Sequence, residues 1–256
     1  MKREWQVIID CTRKIMVNID LHKSIFIKIL REIYSDSLLR NNLGFKGGTA
    51  AYLFYELPRF SVDLDFDLLD PVRKTVVLDR LKEILIRFGD LAQASEKKNT
   101  LFFLLNYKKG ERNIKVEISK RPSKARFIPQ NYLGISILVM GKEDMAAGKL
   151  SAFLTRRRFA ARDLYDLWFF LKSNWQINSS LVEEKTDMTL TRALKNAQAK
   201  VKEVKKTELL AGLGELLENK QKLWVKEKLI DETIFYLRLY REMYAKSTST
   251  RKLSNK

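Results

Sequence analysis

Two aspartates, Asp63 and Asp65, stand two apart in the run FSVDLDFDL, with apolar residues between and after them. An extended strand puts residues i and i+2 on one face, so both carboxylates point one way while Leu64 and Phe66 enter a core. Neighbouring carboxylates repel unless a cation lies between them, and oxygen donors of this kind suit magnesium. Asp67 continues the alternation and reads as solvated sheet face. Earlier in the chain, Gly47-Gly48-Thr49 opens a short apolar helix. The first N–H groups of such a helix lack intrahelical partners and make a phosphate cradle. Ser61, two residues before Asp63, shares its strand face. A metal pair beside a phosphate cradle is nucleotide chemistry, although each half alone has a plainer reading: a tight turn for the glycines, a solvated sheet face for the acids.

These residues need elements to hold them. Residues 1–42 read as helices, and Ile25, Phe26, Ile29, Leu30 and Ile33 form one apolar stripe that covers a sheet. A helix over 48–56, a break at Pro58 and a strand over 60–69 follow, then a helix over 73–88. Segments 101–107 and 113–119, joined through KKGE, read as a hairpin. In its second strand Ile114, Val116 and Ile118 share one face, and Lys115 and Glu117 the other. A strand over 135–140 leads to a helix starting at Met145, with Asp144 placed as its cap. After the basic turn TRRRFAAR comes a helix over 163–172, with Leu164, Leu167, Trp168 and Leu171 on one face and Asp163, Asp166 and Phe170 on another. Lys149 interrupts small and apolar neighbours, so it approaches the same cleft. Beyond Ser173, amphipathic segments span 189–204, 207–218 and 222–243, and the polar, basic tail is expected to be disordered.

The net charge of +18 excludes little about fold but much about partners. Excess lysine and arginine attract polyanions, since they release counterions condensed on a phosphate backbone. Nucleic acid is the natural partner, and simple solubility the plainer explanation. The single cysteine, Cys11, and the single histidine, His22, are read as packing or surface residues, with no zinc cluster. No stretch approaches a membrane span, and a soluble cytoplasmic protein is expected.

Gly-Gly-Thr followed at a distance by Asp-Leu-Asp and an apolar residue resembles the signature of polymerase-β-type nucleotidyltransferases. More narrowly, KGGTA, RFSVDLDF and GKLSAFLTRRRFAARDLYDLWFFL are similar to the AbiEii/AbiGii nucleotidyltransferase toxins of abortive infection and type IV toxin–antitoxin systems, over roughly residues 40–172. The resemblance implies an α/β (α+β) fold: a polymerase-β-like nucleotidyltransferase domain with a mixed sheet over 1–140, a helical domain over 141–243 and a tail over 244–256. It implies magnesium on Asp63, Asp65 and Glu117, the last being Glu where Asp is common. It places Lys46, Gly47, Gly48, Thr49, Ser61 and Lys149 on the nucleoside triphosphate, with Asp163 or Asp166 completing the catalytic set. It implies an RNA acceptor, the 3′ end of tRNA, gripped by Arg156, Arg157, Arg158 and Arg162, and a cognate antitoxin. Transfer to a protein or small molecule, phosphoryl transfer and non-catalytic binding stay open. So do helix capping for Asp163, a surface ion pair for Asp166, and packing of the arginines against acids.

Overall fold

Alternating apolar residues gather seven segments into one mixed sheet, and the strand order brings the acids together. The computed structural model describes residues 18–254, with side chains described for 18–246; Cys11 and the expected helix before residue 18 lie outside the described residues. Helices α1 (Ile19–Ser35) and α2 (Ser37–Asn42) lead into β1 (Leu43–Lys46), α3 (Gly47–Phe54), β2 (Asp63–Leu68) and α4 (Lys74–Leu85). Strands β3 (Asp90–Glu96), β4 (Thr100–Asn106), β5 (Ile114–Ser119), β6 (Phe127–Tyr132) and β7 (Ile135–Met140) follow. The rest is helical: α5 (Lys142–Thr155), α6 (Ala161–Lys172), α7 (Ser179–Thr186), α8 (Leu190–Lys202) and α9 (Asn219–Ser254).

The sheet order is β3-β4-β5-β2-β1-β7-β6. Strands β2 and β5 are parallel neighbours in a register that sets Asp63 beside Lys115 and Asp65 beside Glu117. On the opposite edge of β2, antiparallel β1 sets Lys46 beside Asp65. Leu64, Phe66, Val116 and Ile118 point the other way into the core, fully buried. The α1 stripe of Phe26, Ile29, Leu30 and Ile33 is buried as expected.

Four local expectations are corrected. Strands β3 and β6 lie at the two sheet edges, where one side of the backbone goes unpaired and the apolar alternation is weak. Polar residues in DLAQASE and Pro129 in FIPQNY hide them, as edge strands commonly do. The segment 207–218 forms only short 3₁₀ turns at Lys206–Glu208 and Gly214–Leu216, with Gly212 at φ +65° between them. Asp144 does not cap a helix: α5 starts earlier with Gly141 as its cap, and the buried Asp144 carboxylate accepts from the Arg126 N–H at 2.5 Å and Asn178 Nδ2 at 2.6 Å. The stretch from 244 to 254 is helix continuing α9, where composition pointed to disorder; extending an existing helix costs far less than nucleating one.

His22 ties α1 to the residue that precedes β2. Its Nε2 lies 3.0 Å from the Val62 carbonyl, which only accepts, so Nε2 carries the proton and Nδ1 accepts from the Tyr107 hydroxyl at 3.0 Å. Burial pushes this imidazole below its ordinary value, despite the help of the Val62 carbonyl. A histidine lowered on folding contributes stability that is present above its unfolded value, about 6.5, and lost as pH falls below it toward the folded value. The urea midpoint should therefore drop between about pH 7 and pH 5 more steeply for the wild type than for His22→Gln; equal slopes would show that His22 titrates normally.

Candidate active site

β1 turns into α3 without a linking loop, and this requires glycine. Gly47 sits at φ +82°, and a Cβ there would lie 2.5 Å from Asp65 Oδ2. A Cβ on Gly48 would meet Arg59 Nη2 at 2.7 Å and Ser61 Oγ at 2.9 Å. No side chain caps the start of α3, so its first backbone N–H groups are left for a ligand. Thr49 is fully buried and its hydroxyl donates to the Asp63 carbonyl, so the side chain fastens α3 to β2 instead of lining the cleft. Asp67 is not solvated: it is 5% exposed and paired with Lys46 Nζ.

Asp63, Asp65, Lys115 and Glu117 share one face of β2 and β5. Lys115 Nζ lies 3.2 Å from Asp63 Oδ2 and 3.3 Å from Glu117 Oε2, and Arg162 Nη1 lies 3.6 Å from Asp63 Oδ2. The Asp65 side chain makes no hydrogen bond or ion pair among the described residues. Burial, and then the charge of Asp63, push its carboxyl above the usual range; Lys115 and Lys46 offset this only in part, and Glu117 adds to it. A half-buried carboxylate without a partner is what a hard cation fits, and the donors are all oxygen. Among the described residues, no three acidic or histidine side chains close on one point, and the Lys115 ammonium stands between Asp63 and Glu117.

The opposite wall comes from α5 and α6. Lys149 Nζ reaches Asp166 Oδ2 at 2.8 Å and Asp163 Oδ1 at 3.0 Å. Asp166 is held from its other side by Arg59, whose Nε and Nη2 donate at 2.5 and 2.6 Å. Arg59 is 3% exposed and Asp166 0%. Burial pushes the Asp166 carboxyl up, but Arg59 and Lys149 outweigh it and hold the group below the usual range. Burial likewise disfavours charge on Lys149, and Asp166 with Asp163 overcomes it and raises the ammonium. Asp163 is buried and takes a charge contact from Arg156 Nη1 at 3.0 Å, without hydrogen-bond geometry at that oxygen. Neither plainer reading of these aspartates holds: Ala160 caps α6 with no side-chain bond, and Asp166 is interior.

A cleft of about 730 Å³ joins the two walls, lined by Lys46, Gly47, Asp65 and Glu117 on one side and Lys149, Arg156 and Asp163 on the other. Arg121 and Lys185 add basic charge to its rim. Asp63 and Arg162 meet each other beside the cleft, Asp166 lies behind it, and Arg157 and Arg158 are exposed in the turn between α5 and α6 without reaching the acids. A second cavity, about 740 Å³, opens near Arg31, Tyr34 and Leu133 and holds none of these acids. Sequence reasoning passed over Arg59, the one cation in ELPRFSV and flanked there by apolar residues, and gave Lys115 no role although it shares a face with Glu117.

The profile of the family described as "Nucleotidyl transferase AbiEii toxin, Type IV TA system" matches residues 28–249. The chain belongs to the AbiEii family. The match runs well beyond the motifs at 40–172 and takes in most of the helical region. Among solved structures, JHP933 from Helicobacter pylori is 22% identical with a TM-score of 0.60, covering 92% of this chain and 97% of that one. A candidate nucleotidyltransferase from H. pylori is also 22% identical at TM-score 0.60, covering 89% of this chain and 96% of that one. These likenesses show the fold. No curated protein matches the sequence. The AbiEii assignment and the mixed sheet with a helical C-terminal region agree with what the motifs implied.

Asp65 and Asp166 should respond to neutralisation with opposite signs. A carboxyl raised on folding contributes stability that is lost as pH rises through the folded value, so ionised Asp65 weighs against the fold at neutral pH. Asp65→Asn should melt at or above wild type in chelator. Asp166→Asn leaves Arg59 and Lys149 short of a buried partner and should cost about 3–5 kcal/mol. Thermal melts of both variants check this, and a loss at Asp65 equal to that at Asp166 would refute it.

Proposed function

We propose that this AbiEii chain transfers a nucleotidyl group from a nucleoside triphosphate to RNA, at the 3′ end of tRNA, and so arrests growth. The observation that carries the reading is the meeting of Asp65 and Glu117 with Lys149 and Asp163 across one cleft, next to the uncapped start of α3 at Gly47. An acceptor hydroxyl attacks the α-phosphorus and pyrophosphate leaves. Backbone N–H groups at Gly47 and Gly48 receive the phosphates, with Lys46 and Ser61 beside them. Magnesium, if bound, would be held by Asp63, Asp65 and Glu117 and would supply charge neutralisation to the transfer. Lys149, kept charged by its two aspartates, neutralises charge building on the leaving pyrophosphate.

Glu117 or Asp163 takes the proton of the acceptor hydroxyl. Asp166 does not, since Arg59 and Lys149 occupy both its oxygens; it is a positioning residue for Lys149. The net charge of +18 suits a polyanionic acceptor, and Arg156, Arg157, Arg158 and Arg162 hold its backbone beside the cleft. No described helix is long and apolar enough to cross a membrane, and we place the protein in the cytoplasm with a cognate antitoxin as partner.

The test is incubation with bacterial tRNA, magnesium and each α-labelled nucleoside triphosphate in turn. Label should enter RNA with wild type and fall at least about a hundredfold in Asp65→Ala and in Lys149→Met. Label in protein or a metabolite instead would move the acceptor, and no incorporation from folded, nucleotide-binding protein would refute nucleotidyl transfer.

A further inference from the structure

The second cavity, about 740 Å³, is lined by hydrogen-bond donors and apolar groups and by no carboxylate. Arg31 on α1 and Arg40 on α2 line it, both exposed and neither in an ion pair among the described residues. Two acids near them in sequence are engaged elsewhere, Glu32 with Arg87 and Asp36 with Arg80. A cation in the last turn of a helix offsets the helix dipole, which accounts for Arg40 but not for Arg31, since α1 has no basic residue in its last turn. Ser35, Asn41 and Ser136 add hydroxyl and amide groups that can donate into the same space. The floor is fixed: the buried Tyr34 hydroxyl lies 3.0 Å from the Leu43 carbonyl and 3.2 Å from that of Leu138, tying α1 to β1 and β7.

This cavity and the catalytic cleft lie along one strand. Ser136, Leu138 and Met140 alternate onto one face of β7; the first two line the cavity and the third lines the cleft. A strand of this length spans about 17 Å, a distance that a few nucleotides cover. Resting on the RNA-acceptor reading above, we propose that the cavity is a second RNA site, where Arg31 and Arg40 take the phosphodiester backbone of the acceptor upstream of the 3′ end that reacts in the cleft. Planar guanidinium groups grip phosphate oxygens in pairs. Leu133, 68% exposed, and Pro129 offer the apolar surface on which a sugar or base edge rests. A lining free of acids is what a polyanion requires, because a carboxylate there would repel it. The arginines at 156, 157, 158 and 162 hold the backbone next to the reacting end, whereas Arg31 and Arg40 hold it at a distance from the chemistry.

The test measures binding of bacterial tRNA to the full-length, nucleotide-free chain by fluorescence anisotropy across a range of salt. The double variant Arg31→Gln, Arg40→Gln should lower the slope of log affinity against log salt by about two units. Its dissociation constant should rise at least about tenfold near 0.1 M salt. Arg31→Lys with Arg40→Lys, which keeps the charge, should keep the slope. A control that removes two exposed charges from α9, Lys226→Gln with Lys228→Gln, should change affinity by less than about twofold. Equal losses in the arginine-to-glutamine and control variants would reduce the effect to net charge and overturn the proposal, as would an arginine-to-glutamine variant that binds like wild type. Calorimetry with a free nucleoside triphosphate tests the other source of phosphate: a second bound nucleotide lost only in that variant, with tRNA binding unchanged, would overturn the RNA assignment. Wild type that binds no tRNA would overturn the RNA-acceptor reading and this proposal together. Wild type that binds tRNA but transfers no label, with binding weakened in the arginine-to-glutamine variant, would overturn the transferase and support the cavity.

Discussion

The interior ion pair of Arg59 and Asp166 is the constraint on which the site depends. Arg59 belongs to the loop that leads into β2, Asp166 to α6, and both are almost completely excluded from solvent. Taking two charges out of water is expensive, and their attraction repays it only with good geometry and no hydrogen-bonding group left over. Here the pair is bidentate, Arg59 Nη1 donates to the Phe60 carbonyl at 2.9 Å, and Lys149 occupies the remaining side of Asp166 at 2.8 Å. Such a cluster adds little net stability over a well-packed apolar one, but any displacement of the helices leaves a buried charge alone. Its effect is to fix where α6 stands relative to β2.

Around that point the contacts between sheet and helices are direct. The Tyr165 hydroxyl donates to the Pro58 carbonyl at 3.2 Å and Gln221 Nε2 to the same oxygen at 2.7 Å. The Phe60 N–H donates to the Leu216 carbonyl at 3.1 Å, and Trp168 packs on Trp224 with ring centroids 4.2 Å apart. The loop from Pro58 to Val62 is therefore gripped from the helical side, while His22 holds its far end. Gly48 lets Arg59 and Ser61 come up against α3, so the glycine turn, the arginine and β2 form one rigid corner.

The two cleft walls are built on opposite electrostatic plans. The helical wall is saturated: each acid has a cation, and the cluster keeps Lys149 charged. The sheet wall is short of positive charge at one residue, Asp65, whose carboxyl is raised by burial and by Asp63. A chain of +18 with an under-neutralised acid at its cleft attracts polyanions to the surface and cations to the centre.

The local pattern of residues determined much of this. Strand alternation placed Asp63 and Asp65 on one face and Leu64 and Phe66 in the core, and the spacing of Asp163, Asp166 and Phe170 put both acids on one side of a helix, because these periods are set by backbone geometry alone. Gly47 and Gly48 were legible as a turn, and the motifs were legible as AbiEii. What the sequence could not say is which charges meet. Arg59 and Asp166 are 107 positions apart, and nothing local distinguishes their buried pair from two surface residues. Asp67 looked like sheet face until Lys46 covered it, and the edge strands β3 and β6 carry too little apolar pattern to be read. Lys115 shared a face with Glu117 in the sequence already, but only the parallel pairing of β2 with β5 set that face against Asp63 and Asp65. Periodicity fixes the direction of a side chain within its own element, whereas its partner depends on strand order and helix docking, which no single stretch of chain encodes.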